Sequence, residues 1–157
     1  MSKTRARAAT VGVVTTGMIM SMGVMSTEAS AKSRIPAACK HGRVVCIDKS
    51  TRTVKWVVNG SVRLSMAARF GSSRTPSRTG IFRIYWKDID HVSELFGSSM
   101  PFSLFYSGGQ AVHYSSDFAA RGYRGASHGC VNTKSWSGMR ALYNAARIGD
   151  KVVVYWS

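Results

Sequence analysis

Between Ala126 and Asn132 the chain places a hydroxyl, an imidazole and a thiol almost side by side: Ser127, His128 and Cys130, with Gly129 before the thiol. A second imidazole, His113, lies upstream at the end of Gln110-Ala111-Val112-His113. A thiol becomes a useful nucleophile when its thiolate is stabilised, and a neighbouring imidazole is the usual means. Gly129 removes bulk on the approach to sulfur and permits a tight, strained backbone. Acyl transfer needs a nucleophile, a base, an orienting group and oxyanion donors. Cys130 is the credible nucleophile, and His113 is taken as the base. His128 stands two residues before Cys130, so the two side chains share a face if that segment is extended. Two other readings stay open on residue types alone. One is a buried free cysteine beside two ordinary histidines, and the other is a zinc site made of His113, His128 and Cys130.

These residues must be held by elements that the patterning suggests. Val44–Asp48 is a short β-prone run, and Thr53–Val58 and Ser61–Met66 flank Asn59-Gly60, a tight hairpin turn. Val62, Leu64 and Met66 alternate onto one face. Phe70–Gly80 is a loop by its Gly, Ser, Pro and Thr content, and Ile81–Trp86 reads as an aromatic-rich strand. Lys87–Ser99 is polar and irregular. Asp88, Asp90 and His91 offer a metal two or three ligands, with no matching cluster elsewhere. Met100–Tyr106 is the next strand, Gly108-Gly109 turns the chain, and Gln110–His113 follows. Tyr114–Ala126 reads as a loop carrying Arg121 and Arg124, two cations suited to substrate carboxylates or simply a solvated face. One helix is expected over Ser135–Arg147, from the stripe Trp136, Met139, Tyr143 and Ala146 widened by Leu142. Thr133 or Ser135 would cap it. Lys151–Trp156 closes the chain as a strand. The expectation is a small, mostly β domain with one main C-terminal helix.

Composition bounds the setting. Residues 1–31 have a basic head (Lys3, Arg5, Arg7), an uncharged run from Ala8 to Met25 and the small-residue site Ala29-Ser30-Ala31. That is the layout of a secretory signal peptide, which would engage the export machinery; a retained membrane anchor is the alternative. Residues 32–43 read as an N-terminal arm, and 44–157 as one domain with a real core. The formal charge of +15 implies an anionic partner. The basic residues are scattered and no nucleic-acid motif is present, so an anionic cell wall is the simpler partner than DNA or RNA. Cys39 and Cys46 flank a plausible turn and are placed to form a disulfide outside the cytoplasm, leaving Cys130 unpaired. The competing reading leaves Cys39 or Cys46 free.

His113 followed by Ser127-His128-Gly129-Cys130-Val131-Asn132 resembles the signature of the L,D-transpeptidase catalytic domains that remodel bacterial peptidoglycan. The likeness runs from about Cys46 to Trp156 and includes Thr75-Pro76 with Gly80-Ile81-Phe82, Met100-Pro101-Phe102, Leu142-Tyr143 and the terminal valine run. It implies the family's flattened β-sandwich with the helix alongside, and a flap formed by the Lys87–Ser99 insertion. It implies that His113 pairs with the sulfur while the backbone carbonyl of Tyr114 orients the ring. Asp117 is the alternative orienter. It gives His128 and Ser127 supporting roles, makes the Gly129 and Cys130 N–H groups the oxyanion donors, and has Asn132 order the loop. Tyr114 stands where glycine is commonest, so its ring is expected to narrow the cleft or alter acceptor choice.

The implied reaction has two steps and needs no cofactor. Cys130 attacks the bond between a diamino acid and D-alanine in a peptidoglycan stem, D-alanine leaves, and an amine of another stem takes the acyl group as a 3–3 cross-link. Water as acceptor would make an L,D-carboxypeptidase, and a free D-amino acid would give exchange. Carbapenems are implied inhibitors. The rival classes are a non-catalytic, basic wall-binding protein with an inert thiol and a secreted nucleic-acid binder with salt-dependent affinity.

Overall fold

The computed structural model describes residues 35–157. The segment read as a signal peptide lies outside the described residues. The chain begins with a 3-10 turn at Ala37–Cys39, then runs β1 (Arg43–Asp48), β2 (Thr53–Val58) and β3 (Ser61–Arg69). Next come β4 (Gly80–Arg83), β5 (Trp86–Val92), β6 (Ser99–Ser107), β7 (Gln110–Tyr114) and the short helix α1 (Ser116–Arg121). It ends with β8 (Val131–Thr133), α2 (Trp136–Ala145) and β9 (Lys151–Tyr155). The protein is mostly β, in the L,D-transpeptidase-like fold expected.

The strand order is β4-β9-β1-β2-β3-β8-β7-β6-β5. The β1–β2–β3 unit is antiparallel, while β9 joins β1, and β8 joins β7, in parallel. The order curls on itself. Val45, Val54, Leu104, Val112, Val131 and Val152 meet in one core, and α2 closes it with Met139 and Leu142. Each of these side chains is fully buried.

Asn59 and Gly60 both take positive φ, as a two-residue hairpin turn demands. The β3 face that reaches the core is Met66 and Ala68, while Val62 stays exposed. A bulge between Trp56 and Val57 shifts the register before Val62. The helix is capped by Ser135, whose hydroxyl accepts the Gly138 N–H at 3.1 Å. Its buried stripe is Met139, Leu142 and Ala146, with Trp136 left half exposed.

Four expected elements differ. The run Ile81–Trp86 is two strands, because Gly80–Arg83 pairs with β9 whereas Trp86 starts the pairing of β5 with β6. The chain crosses between them at Ile84, which is buried. Lys87–Ser99 is therefore largely strand, not irregular. Its polar alternation is that of an edge strand wetted on much of its surface. Only Ser93–Ser98 remains as a turn. The Tyr114–Ala126 loop holds helix α1, started by the Ser115 hydroxyl on the Phe118 N–H at 3.1 Å and anchored by buried Phe118. Part of the expected N-terminal arm is packed down: Ile35, Ala38 and Cys39 join Val44, Val57 and Val153 in a second cluster, and Cys39 is disulfide-bonded to Cys46.

Candidate active site

Strand register explains how the distant histidine and thiol come to line one cleft. In β7 and β8, Val112 lies beside Val131 and His113 beside Asn132. Both valines point into the core, so Ala111, His113, Cys130 and Asn132 take the opposite face. Arg69, the register partner of Asn132 on β3, extends the row. Over that face opens a cleft of about 1160 Å³, lined among others by His113, Cys130, His128, Trp86 and Phe96.

The thiol is held by a loop with little freedom. Gly129 has φ +115°, a conformation that side chains rarely adopt, and an added Cβ would stand 2.7 Å from Gln110 Nε2. The Ser127 hydroxyl donates to the Cys130 carbonyl at 2.5 Å and accepts the Gly129 N–H at 3.2 Å. Buried Ser77 donates to the same carbonyl at 3.3 Å. The Ser127 N–H reaches the Phe70 carbonyl at 3.0 Å, and Thr75 Oγ1 donates to the Ser127 carbonyl at 3.3 Å. At Gly71 a Cβ would fall 1.8 Å from the Thr75 carbonyl oxygen of its own loop and 3.0 Å from the Gly129 backbone, so no side chain fits where the two loops meet.

Cys130 Sγ packs against Met100, Phe105 and Ala111 and accepts the Ala111 N–H at 3.5 Å. Burial pushes the thiol up, and the Ala111 N–H partly offsets this by favouring the thiolate. His113 Nδ1 lies 2.7 Å from the Tyr114 carbonyl. A carbonyl only accepts, so Nδ1 carries the proton and Nε2 is the basic nitrogen. Burial pulls His113 down to about 4, against the raising effects of the Tyr114 carbonyl and the Asn132 side chain. Burial thus favours the neutral form of both groups at pH 7.

The L,D-transpeptidase catalytic domain (YkuD) family model matches residues 42–154. The chain belongs to the L,D-transpeptidase catalytic domain family. An L,D-transpeptidase from Stackebrandtia nassauensis is similar at 25% identity and TM-score 0.68, over 82% of this chain and 61% of that one. One from Xylanimonas cellulosilytica gives 30% identity and TM-score 0.66, over 74% and 61%. An L,D-transpeptidase in complex with imipenem gives 23% identity and TM-score 0.64, over 73% and 59%. This chain thus spans about three fifths of the length of these neighbours. No curated protein matches it.

Within this L,D-transpeptidase domain the expected residues fall into distinct places. The Tyr114 carbonyl touches His113, but the Tyr114 ring does not enter the cleft. It points to the other face, against Trp136 at 5.0 Å, because neighbours on a strand alternate. The expectation that this ring narrows the cleft is corrected accordingly. The segment at 127–130 is bent, not extended. His128 is exposed and stacks on Phe96 of the Ser93–Ser98 turn, with centroids 4.0 Å apart and planes at 11°. The Gly129 N–H is directed at Ser127 Oγ, leaving the Cys130 N–H as the remaining oxyanion candidate.

Asp117 does not orient His113; it accepts from Arg69 at 2.5 Å and Arg121 at 2.7 Å. Arg121 lines the cleft with its charge paired in this way, while Arg124 is not among the cleft-lining residues and offers its carbonyl to Arg69 at 3.0 Å. Asp88 pairs with His91 at 3.1 Å. Among the described residues no three His, Cys, Asp or Glu side chains are placed to share a metal. The structure also adds residues with no signal in the sequence. Arg69 fell between the expected Ser61–Met66 strand and the Phe70–Gly80 loop, Ser77 was one serine in that polar loop, and Phe96 part of an irregular stretch. Their roles arise from contacts across 32 to 55 residues of chain.

Proposed function

We propose that this chain is a cysteine acyltransferase that forms 3–3 cross-links between peptidoglycan stems. The observation that carries this is the placement of Cys130 and His113 in one cleft, with the His113 Nδ1 proton fixed on the Tyr114 carbonyl. In the first step Cys130 Sγ attacks the carbonyl between the diamino acid and D-alanine as its proton passes to His113 Nε2. The Cys130 N–H faces the developing oxyanion. The tetrahedral intermediate collapses, His113 returns the proton to the departing D-alanine amine, and a thioester remains. In the second step the side-chain amine of another stem attacks the thioester. It gives its proton to His113, which passes it to the departing sulfur, restoring the thiol. Protons balance over the cycle, and no metal or redox partner is consumed.

The similar L,D-transpeptidase held with imipenem supports acylation of Cys130 by carbapenems as well. The Cys39–Cys46 disulfide and the leader-like segment support a setting outside the cytoplasm. The decisive experiment incubates the protein with a disaccharide-tetrapeptide and follows protein and products by intact mass, with Cys130→Ala alongside. Loss of D-alanine with a cross-linked dimer is expected, falling by about 10³-fold or more in the variant. Tripeptide without dimer would replace this reading by L,D-carboxypeptidase activity. A folded protein with a free thiol that gave neither product nor acyl adduct would overturn it in favour of wall binding.

A further inference from the structure

A second hollow, of about 500 Å³, adjoins the cleft, and Arg69, Pro76 and Ala126 line both. Its rim combines two aromatic rings and two cations from separate parts of the chain. Lys49 Nζ lies 4.6 Å from the Trp156 ring centre, and the Arg52 guanidinium lies 4.9 Å from that of Tyr123. Both rings are strongly exposed, Trp156 at 64% and Tyr123 at 45%. Neither Lys49 nor Arg52 has a carboxylate partner among the described residues. The nearby carboxylate, Asp48, is buried and engaged by the Ser50 and Thr51 N–H groups and the Ser157 hydroxyl. Its role there is to fix the turn that carries the rim.

The side of the hollow shared with the cleft is built. Arg69 is buried, and its guanidinium is held by the Gly122 and Arg124 carbonyls and by Asp117, while its Nε has no partner. Each ring meets its cation on one face, and Lys49 Nζ also donates to the Ser77 carbonyl at 2.9 Å. Exposed rings with cations that lack a carboxylate partner suit a ligand with a flat C–H surface, such as a sugar ring, next to an anionic group. A purely apolar ligand would leave the cations desolvated, and a bare anion would make no use of the rings.

We propose that this hollow binds the sugar-proximal part of a stem: a sugar ring against Trp156 and Tyr123, and a free carboxylate of the adjoining peptide against Lys49 and Arg52. This rests on the peptidoglycan reading of the neighbouring cleft. The wall shared by hollow and cleft lies within a stem's length of the thiol. Ala126 at the shared wall is four residues from Cys130, so their Cα atoms are at most about 14 Å apart. Three extended stem residues between a sugar and the attacked carbonyl span roughly 10 Å. The protein would then select stems still attached to glycan over free peptides.

The test uses the full chain as Cys130→Ala, so that binding is read without turnover. Three probes are titrated calorimetrically: a disaccharide-tetrapeptide, the same tetrapeptide without sugar, and the disaccharide-tetrapeptide with its sugar-proximal carboxyl amidated. The sugar is expected to tighten binding about tenfold, a gain lost in Trp156→Ala. Amidation is expected to weaken binding several-fold, an effect absent in Arg52→Gln. Equal affinity for the first two probes, or a sugar effect that survives Trp156→Ala, overturns the proposal. So does an amidation effect that survives Arg52→Gln. Carbapenem acylation at unchanged rate in the Trp156→Ala and Arg52→Gln proteins that keep Cys130 shows that the fold and cleft are intact. D-alanine release is measured separately in the wild type. Sugar-dependent binding without release overturns the catalytic reading alone, and release without sugar-dependent binding overturns only this one.

Discussion

His113 shows how one residue's environment sets the chemistry of the site. Its burial holds it neutral down to about pH 4, below the ordinary 6.5. The acid limb of kcat/KM, or of carbapenem acylation, should therefore fall near pH 4 to 5, not near 6.5. His113→Gln should remove about 10² to 10⁴ of the rate. The same depression acts on stability. Between pH 4 and 6.5 the unfolded chain binds the His113 proton and the folded chain does not. Stability is thus full above 6.5 and falls with pH through that window, by about 3 kcal/mol in all. Urea titrations at pH 4.5 and 7 should show a shallower dependence in His113→Gln than in the wild type. Gly129 makes a second residue-level prediction. Its φ of +115° and the proximity of Gln110 Nε2 should make Gly129→Ala cost about 1 to 3 kcal/mol and displace the thiol. A fall in both melting temperature and acylation rate would check this, and an unchanged rate would count against the loop geometry described.

At the scale of elements, the site depends on short pieces held by long-range partners. The three residues of β8 gain their position from β3 and β7 on either side, and the Thr75–Ser77 loop fastens the nucleophile loop from above. The disulfide plays a different part. Cys39 and Cys46 are seven residues apart and tie the 35–42 segment to β1, away from the cleft. By loop-closure entropy, breaking it with Cys39→Ala plus Cys46→Ala should cost about 2 to 3 kcal/mol. Chemical denaturation should register that loss while the carbapenem acylation rate stays at the wild-type level. A large change in rate would mean that β1 transmits strain to the site.

For the whole molecule, the last strand matters as much as the first. β9 lies between β4 and β1, and its Val152, Val153 and Val154 are buried. A chain ending before Lys151 would expose two strand edges and lose that part of both clusters. It should show no cooperative unfolding transition by circular dichroism. Such a closure depends on pairing between Val44–Asp48 and Lys151–Tyr155, at opposite ends of the domain.

The sequence by itself carried the information that is local or covalently spaced. The thiol, the histidine and the glycine before the thiol were legible because chemistry requires those types in that order. The hairpin at Asn59-Gly60, helix α2 and the terminal strand were legible because backbone conformation and hydrophobic period are written within a few residues. Only the tertiary structure decided that the Tyr114 ring faces Trp136, a matter of which face of β7 the core takes. It also decided that Ile81–Trp86 divides between two pairings, that Arg69 reaches Asp117 and the Gly122 and Arg124 carbonyls, and that Ser77 reaches the Cys130 carbonyl. Those facts are set by contacts between segments about 20 to 70 residues apart, and no local preference encodes the partner on the other side.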